Sequence, residues 1–241
     1  MATQKNRTGA ATTPRSVWNV AAAEISGAMR DRVLLGAGVA VAAVLLLGRL
    51  LPLWLGGSAT AGALSLLVAL FFGSLMIVPL LLEEEREQRL RGAPAASPGV
   101  ALAGKGLAGL ALGLAGMAVA LLIYATLVTR WDAAVLAGAL TVLFGLSVGL
   151  LIDLLVEARR LALWLVGIGL ALLLPALLLA PPESTGLAEQ LLRWSPTVAL
   201  LRLFETGLGA ATAALAPAAL AVALPTAALL VVAGWLVRRA G

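Results

Sequence analysis

The chain has no cysteine and no histidine, a single tyrosine, and few charges: only 12% of its 241 residues are Asp, Glu, Lys or Arg. Each shortage removes a class of chemistry. Without Cys there is no disulfide, no thiol nucleophile and no thiolate metal site. Without His there is no Ser-His relay, no axial haem histidine and no imidazole ligand for zinc. Rhomboid-type and zinc-dependent intramembrane proteases are excluded on the same grounds. A soluble domain is ordinarily about a quarter charged, so this chain cannot cover a water-facing surface. What fills the gap is apolar. Hydrophobic residues make up 61% of the sequence and the mean hydropathy is +1.04. The composition predicts an all-α integral membrane protein of several spans.

A span needs about 20 mostly apolar residues. Six stretches qualify, at about 33–55, 61–82, 106–128, 133–152, 161–180 and 211–237. They make one transmembrane domain, 33–241, behind a tail and amphipathic helix over 1–32. Arg49 interrupts the first span near its end, where a long side chain reaches the headgroups. Pro217 and Pro225 predict a kinked or broken last span. Thirteen of the seventeen Lys and Arg residues fall before the first span, between the second and third, between the fourth and fifth, or after the sixth. Arg49, Arg130, Arg193 and Arg202 fall on the other side. This bias predicts cytoplasmic termini and a multi-pass protein of the cell (inner) membrane. It also explains the pI near 11.0 without a nucleic-acid partner. Trp54, Trp131, Trp164 and Trp235 lie near predicted span ends, as an interfacial belt should. About 32 largely polar or amphipathic residues precede the first apolar run, which reads as a retained span and not a cleaved signal.

Three segments outside the spans carry information. In "RSVWNVAAAEISGAMRDR", residues 15–32, Trp18, Ala21, Ile25 and Met29 recur at helical spacing, with Arg15, Asn19, Ser26 and Arg30 on another face. This predicts a helix lying at the membrane surface in contact with lipid, the alternative being an extension of the first span. In "LLEEEREQRLRGAPAASPGVALAGK", residues 81–105, Glu83, Glu84, Glu85 and Glu87 crowd against Arg86, Arg89 and Arg91. Pro94 and Pro98 then turn the chain back. A mixed run of this kind suits either a solvated helix end or docking onto another protein, since lipid binding favours basic clusters alone. In "PPESTGLAEQLLRWSPTVALLRLFETG", residues 181–207, Leu187, Leu191 and Trp194 share one helix face. Ser195 is a candidate N-cap, Pro196 a first helical residue, and Leu200, Leu203 and Phe204 an apolar face. Two short helices dipping into the outer leaflet are expected.

Chemistry within the spans is sparse. Only Arg49 and Asp153 approach membrane depth, whereas ion-coupled carriers generally place ionisable groups at the midplane. Clustered aspartates, as a metal-dependent lipid transferase would need, are missing. Gly109 with Gly113, and Gly145 with Gly149, form small-residue ridges whose default role is packing inside the chain. "SPGVALAGKGLAGL", residues 97–110, spaces Gly99, Gly104 and Lys105 like a phosphate-binding loop, and Asp153 ends an apolar run as a magnesium-binding strand does. The residue after Lys105 is Gly106, which lacks the hydroxyl that holds magnesium. A breaker-rich turn precedes the motif where a buried strand is required. ATP hydrolysis by this chain is not expected.

Together these features resemble the membrane permease subunits of type-2 ABC exporters, whose layout haem-exporter permeases share. The resemblance rests on the surface helix, six spans, and the Glu-rich segment after the second span. In that segment Glu85, Arg86, Glu87, Leu90, Pro94, Ser97, Pro98 and Lys105 correspond to the family pattern. The family's Gly-Thr pair is replaced by Gln88 and Arg89, and the segment is shorter. The resemblance implies a homodimeric permease that forms the translocation path and catalyses nothing itself. A separate ATPase subunit would hold ATP and magnesium and dock on Glu83, Glu84, Glu85, Arg86, Glu87, Arg89 and Arg91. This chain would bind no cofactor and no metal, and its substrate is open. A non-transporting scaffold or assembly factor is the alternative, with a secondary carrier behind it.

Overall fold

A computed structural model describes residues 17–28, 38–39, 41–47, 49–50, 59–90, 98–156, 160–179 and 194–240, with backbone alone at 28, 83–90, 98–99, 179 and 240. Among the described residues every regular element is helical. A bilayer core offers amides no water, and a helix satisfies them within its own segment. Seven helices are described from end to end: α1 (Val17–Ala28), α2 (Ala59–Leu90), α3 (Pro98–Ile123), α4 (Trp131–Leu155), α5 (Leu161–Leu179), α6 (Pro196–Gly207) and α7 (Leu215–Ala240). Five carry stretches long and apolar enough to cross a membrane: Ala59–Leu82, Val100–Ile123, Trp131–Leu155, Leu161–Leu178 and Leu215–Arg239. This is a membrane protein. The predicted span 33–55 lies largely outside the described residues, though 41–47 are helical. Trp54 and the predicted helix carrying Leu187 and Leu191 also fall outside them.

Two span expectations need correction. The third apolar helix occupies Pro98–Ile123 and not 106–128. Lys105, which the sequence places between the second and third spans, is buried inside the helix. At the far end the helix stops because Arg49 donates to the terminal carbonyl of Ile123 and to Thr126 Oγ1 at 3.0 Å, turning the chain at Tyr124. A cation bonded to the last carbonyls is a helix C-cap. Of the kink or break expected in the last span, the break is absent, since α7 is continuous. Pro217 sits in the first turn of α7, where a missing N–H costs nothing, and the helix continues through Pro225. The Thr226 hydroxyl bonds to the Val222 carbonyl at 2.7 Å, beside the gap that Pro225 opens in the ladder.

Helices α2 and α4 form the axis of the bundle. Of their apolar windows 56% and 61% are buried, against 28% or less for α3, α5 and α7. The close approach comes from Gly145 and Gly149 on α4, where any Cβ would collide with Ser74 or the Leu75 carbonyl of α2. Phe71 and Phe144 stack beside them with ring centroids 5.7 Å apart. On the adjoining face Gly113 of α3 admits Val142, so a Cβ there would lie 2.6 Å from Val142 Cγ1. Both small-residue ridges are spent on packing within the chain. Short α6 is inserted among α2, α4, α5 and α7, and ten of its twelve residues are buried.

Candidate functional site

The acidic run is carried on α2. The helix leaves its apolar stretch at Leu82 and continues without interruption to Leu90. At 1.5 Å per residue its 32 residues are about 48 Å long, against a hydrocarbon core of about 30 Å. The backbone at Glu83, Glu84, Glu85, Arg86, Glu87 and Arg89 is therefore a helical stem prolonging a span. The side chains of these residues, and the whole of Arg91, lie outside the described residues.

Beside the base of this stem, three helices meet at Lys105. Its ammonium, with the residue only 3% exposed, donates to the Leu81 carbonyl of α2 and pairs with Glu24 Oε1 of α1 at 3.2 Å. Gly104 lets α1 come this close, since a Cβ there would lie 2.5 Å from Val20 Cγ1. Val17, Val20, Ala21, Glu24 and Ile25 make one face of α1, set at three- and four-residue spacing and turned from solvent. Ile25 packs beside Leu81 and Ala108. Trp18 projects from the edge of that face, 74% exposed. Of the residues expected to anchor the surface helix, Trp18 and Ile25 are thus on the helix, and Met29 is outside the described residues.

The same geometry disposes of the phosphate-loop spacing. Gly99, Gly104, Lys105 and Gly106 all belong to α3. The amides of 102–106 are bonded within the helix and cannot curl round a phosphate. Asp153, 5% exposed near the end of α4, lies on a helix and not on a strand.

At the opposite end of the bundle α6 begins as its sequence implies, with Ser195 at the N-cap and Pro196 in the first turn. Leu200, Leu203 and Phe204 are completely buried. Thr197 Oγ1 donates to the Leu172 carbonyl at 2.6 Å, well inside α5 and next to Ala171, whose carbonyl Pro175 leaves without its helical donor. At the other terminus the Gly207 carbonyl accepts from the amides of Thr129 and Arg130 at 2.8 and 3.0 Å. Gly209, at φ 76°, then turns the chain toward α7. Glu205 is buried on α6, its carboxylate 3.9 Å from Arg202 Nε. Sequence reading did not count it among the buried ionisable groups, because its neighbours in the chain resemble those of an outer loop. Among the described residues no three acidic side chains are grouped to hold a metal ion. Neither the protein-family models nor the curated proteins compared with this chain gave a match.

Proposed function

We propose that this chain is the transmembrane permease subunit of an ABC transporter, working as an exporter and coupled to an ATPase on a separate chain. The observation that carries the reading is the continuity of α2: one helix joins the centre of the bundle to the acidic run. A push on a continuous helical stem is carried past Pro79 to the packed α2–α4 axis, whereas a charge run on a loose loop transmits nothing. In this reading the stem and both termini are cytoplasmic, and residues 33–55 supply a sixth span. The seat of Thr197 against the middle of α5 supports α6 as a re-entrant helix of the outer leaflet. Two copies associate, and the open apolar faces of α5, with Leu163, Leu170 and Leu174 exposed, offer one contact surface. The chain itself hydrolyses no ATP, and the partner supplies nucleotide and magnesium.

Purification from its native membrane in mild detergent tests the proposal. A soluble chain with a complete phosphate-binding loop should accompany the permease in a fixed ratio and turn over ATP. Recovery of the permease with no such chain, across several detergents, speaks for the scaffold alternative.

A further inference from the structure

Lys105 is one of two lysines in the sequence, and its burial needs a reason. An ammonium has three protons to donate and accepts nothing, and sequestering it is costly unless it is paired and hydrogen-bonded. Here its two ligands come from two different helices: the Glu24 carboxylate of α1 and the main-chain carbonyl of Leu81 on α2. The ligands differ in kind. A carboxylate on a side chain adjusts to its partner, but a helix carbonyl moves only when the helix moves.

We propose that Lys105 is a positioning residue, a clamp that makes the docking of α1 depend on the main-chain position of α2 at Leu81. Leu81 lies one turn before Glu85, so the clamp lets the surface helix sense the acidic stem. This deepens the permease reading, and only the statement that an ATPase moves the stem rests on it. The clamp itself rests on three residues and their bonds.

Two consequences set the clamp apart from an ordinary ion pair. First, a carbonyl accepts and never donates, so a charged group at position 105 must be a donor. Exchanging the charges, with Glu24→Lys and Lys105→Glu together, sets a carboxylate against the Leu81 oxygen and fails to restore docking. Second, the Leu81 carbonyl also receives the helical N–H of residue 85. A proline at 85 removes that N–H and drives its ring against the carbonyl four residues back. Glu85→Pro therefore displaces the fixed ligand of the clamp through the backbone of α2.

The cysteine-free chain permits a direct test. Ala21→Cys places one thiol at a residue that is 4% exposed on the docked face of α1. A hydrophilic maleimide, applied to the full chain in lipid nanodiscs, labels it when α1 lifts. Glu24→Gln should accelerate labelling about tenfold or more, because it leaves a buried charge unpaired. Glu24→Met with Lys105→Met should return the rate to within about threefold of the parent, an apolar pair of similar volume having refilled the site. The exchanged pair should label as fast as Glu24→Gln. Glu85→Pro should accelerate labelling about fivefold or more with Lys105 in place, yet leave the Met–Met protein unchanged. The clamp is overturned if the exchanged pair restores protection, or if Glu24→Gln labels at the parental rate. It is equally overturned if the Met–Met protein labels as fast as Glu24→Gln, or if Glu85→Pro acts alike in both backgrounds. None of these measurements involves an ATPase, so the clamp and the permease reading fail separately.

Discussion

Gly149 meets the Leu75 carbonyl because Pro79, four residues further along α2, has no N–H to hold that carbonyl in the helical ladder. The oxygen is left facing the adjacent helix, where a Cβ at Gly149 would collide with it. Gly149→Ala should therefore destabilise the bundle by about 1–3 kcal/mol, since the clash is with backbone and no rotamer relieves it. Gly167→Ala, with nothing within 4 Å of its new methyl, should stay within about 0.5 kcal/mol. Reversible unfolding in mixed micelles distinguishes the two. Arg49 supplies a second test at this scale. Arg49→Met keeps most of the stem but loses the bonds to Ile123 and Thr126. The same titration should show a loss of about 1 kcal/mol. That Arg49 lies near a span end was legible in the sequence. That it caps a different helix was not, because the contact joins residues 74 positions apart and leaves no local pattern.

Among the elements, α6 was the most legible, down to Ser195 at its N-cap position (though the hydroxyl meets Thr197 Oγ1 and caps no amide), its Pro196 start and its three buried apolar residues. Turn chemistry is local, and local signals survive in any tertiary setting. Its depth was not legible, since a twelve-residue amphipathic helix suits a surface as well as a cleft between four helices. The polar bond that marks its seat is Thr197 to Leu172. Thr197→Val preserves shape and removes that bond, so it should cost about 1 kcal/mol, read by the same unfolding titration. The boundary of α3 misled for a related reason. Lys105 looks like the charge that ends a span, yet Glu24 and Leu81 neutralise it inside one. Neither partner is near it in sequence. Similarly, the prolines of α7 predict a kink or a break, but one falls in the first turn and a threonine hydroxyl serves the ladder beside the other, so the helix is continuous.

For the molecule as a whole, hydropathy and charge made the helical membrane class and most spans legible, because the bilayer dictates both. The way α2 and α4 pair at the centre was hidden, as apolar faces that meet lipid and apolar faces that meet each other look alike. Orientation remains a prediction of the charge bias. Single cysteines at Thr13, Arg130 and Gly241, probed with an impermeant maleimide on intact cells, should react only at Arg130. Reaction at either of the other two without Arg130 would reverse the topology.

If the stem of α2 docks an ATPase, as proposed, one binding measurement reaches that role most directly. Glu83, Glu84, Glu85 and Glu87 are all changed to Lys, and the affinity of the purified partner ATPase for permease in nanodiscs is compared with the parent. Surface changes at a helix end should each alter stability by no more than about 0.5 kcal/mol, so abundance should be normal. Opposed like charges at an interface cost several kcal/mol, so affinity should fall by about a hundredfold or more. The added positive charge favours the same orientation, so topology should hold. A correctly inserted quadruple variant that binds the ATPase as tightly as the parent would contradict the account and leave the charge run a solvated helix end.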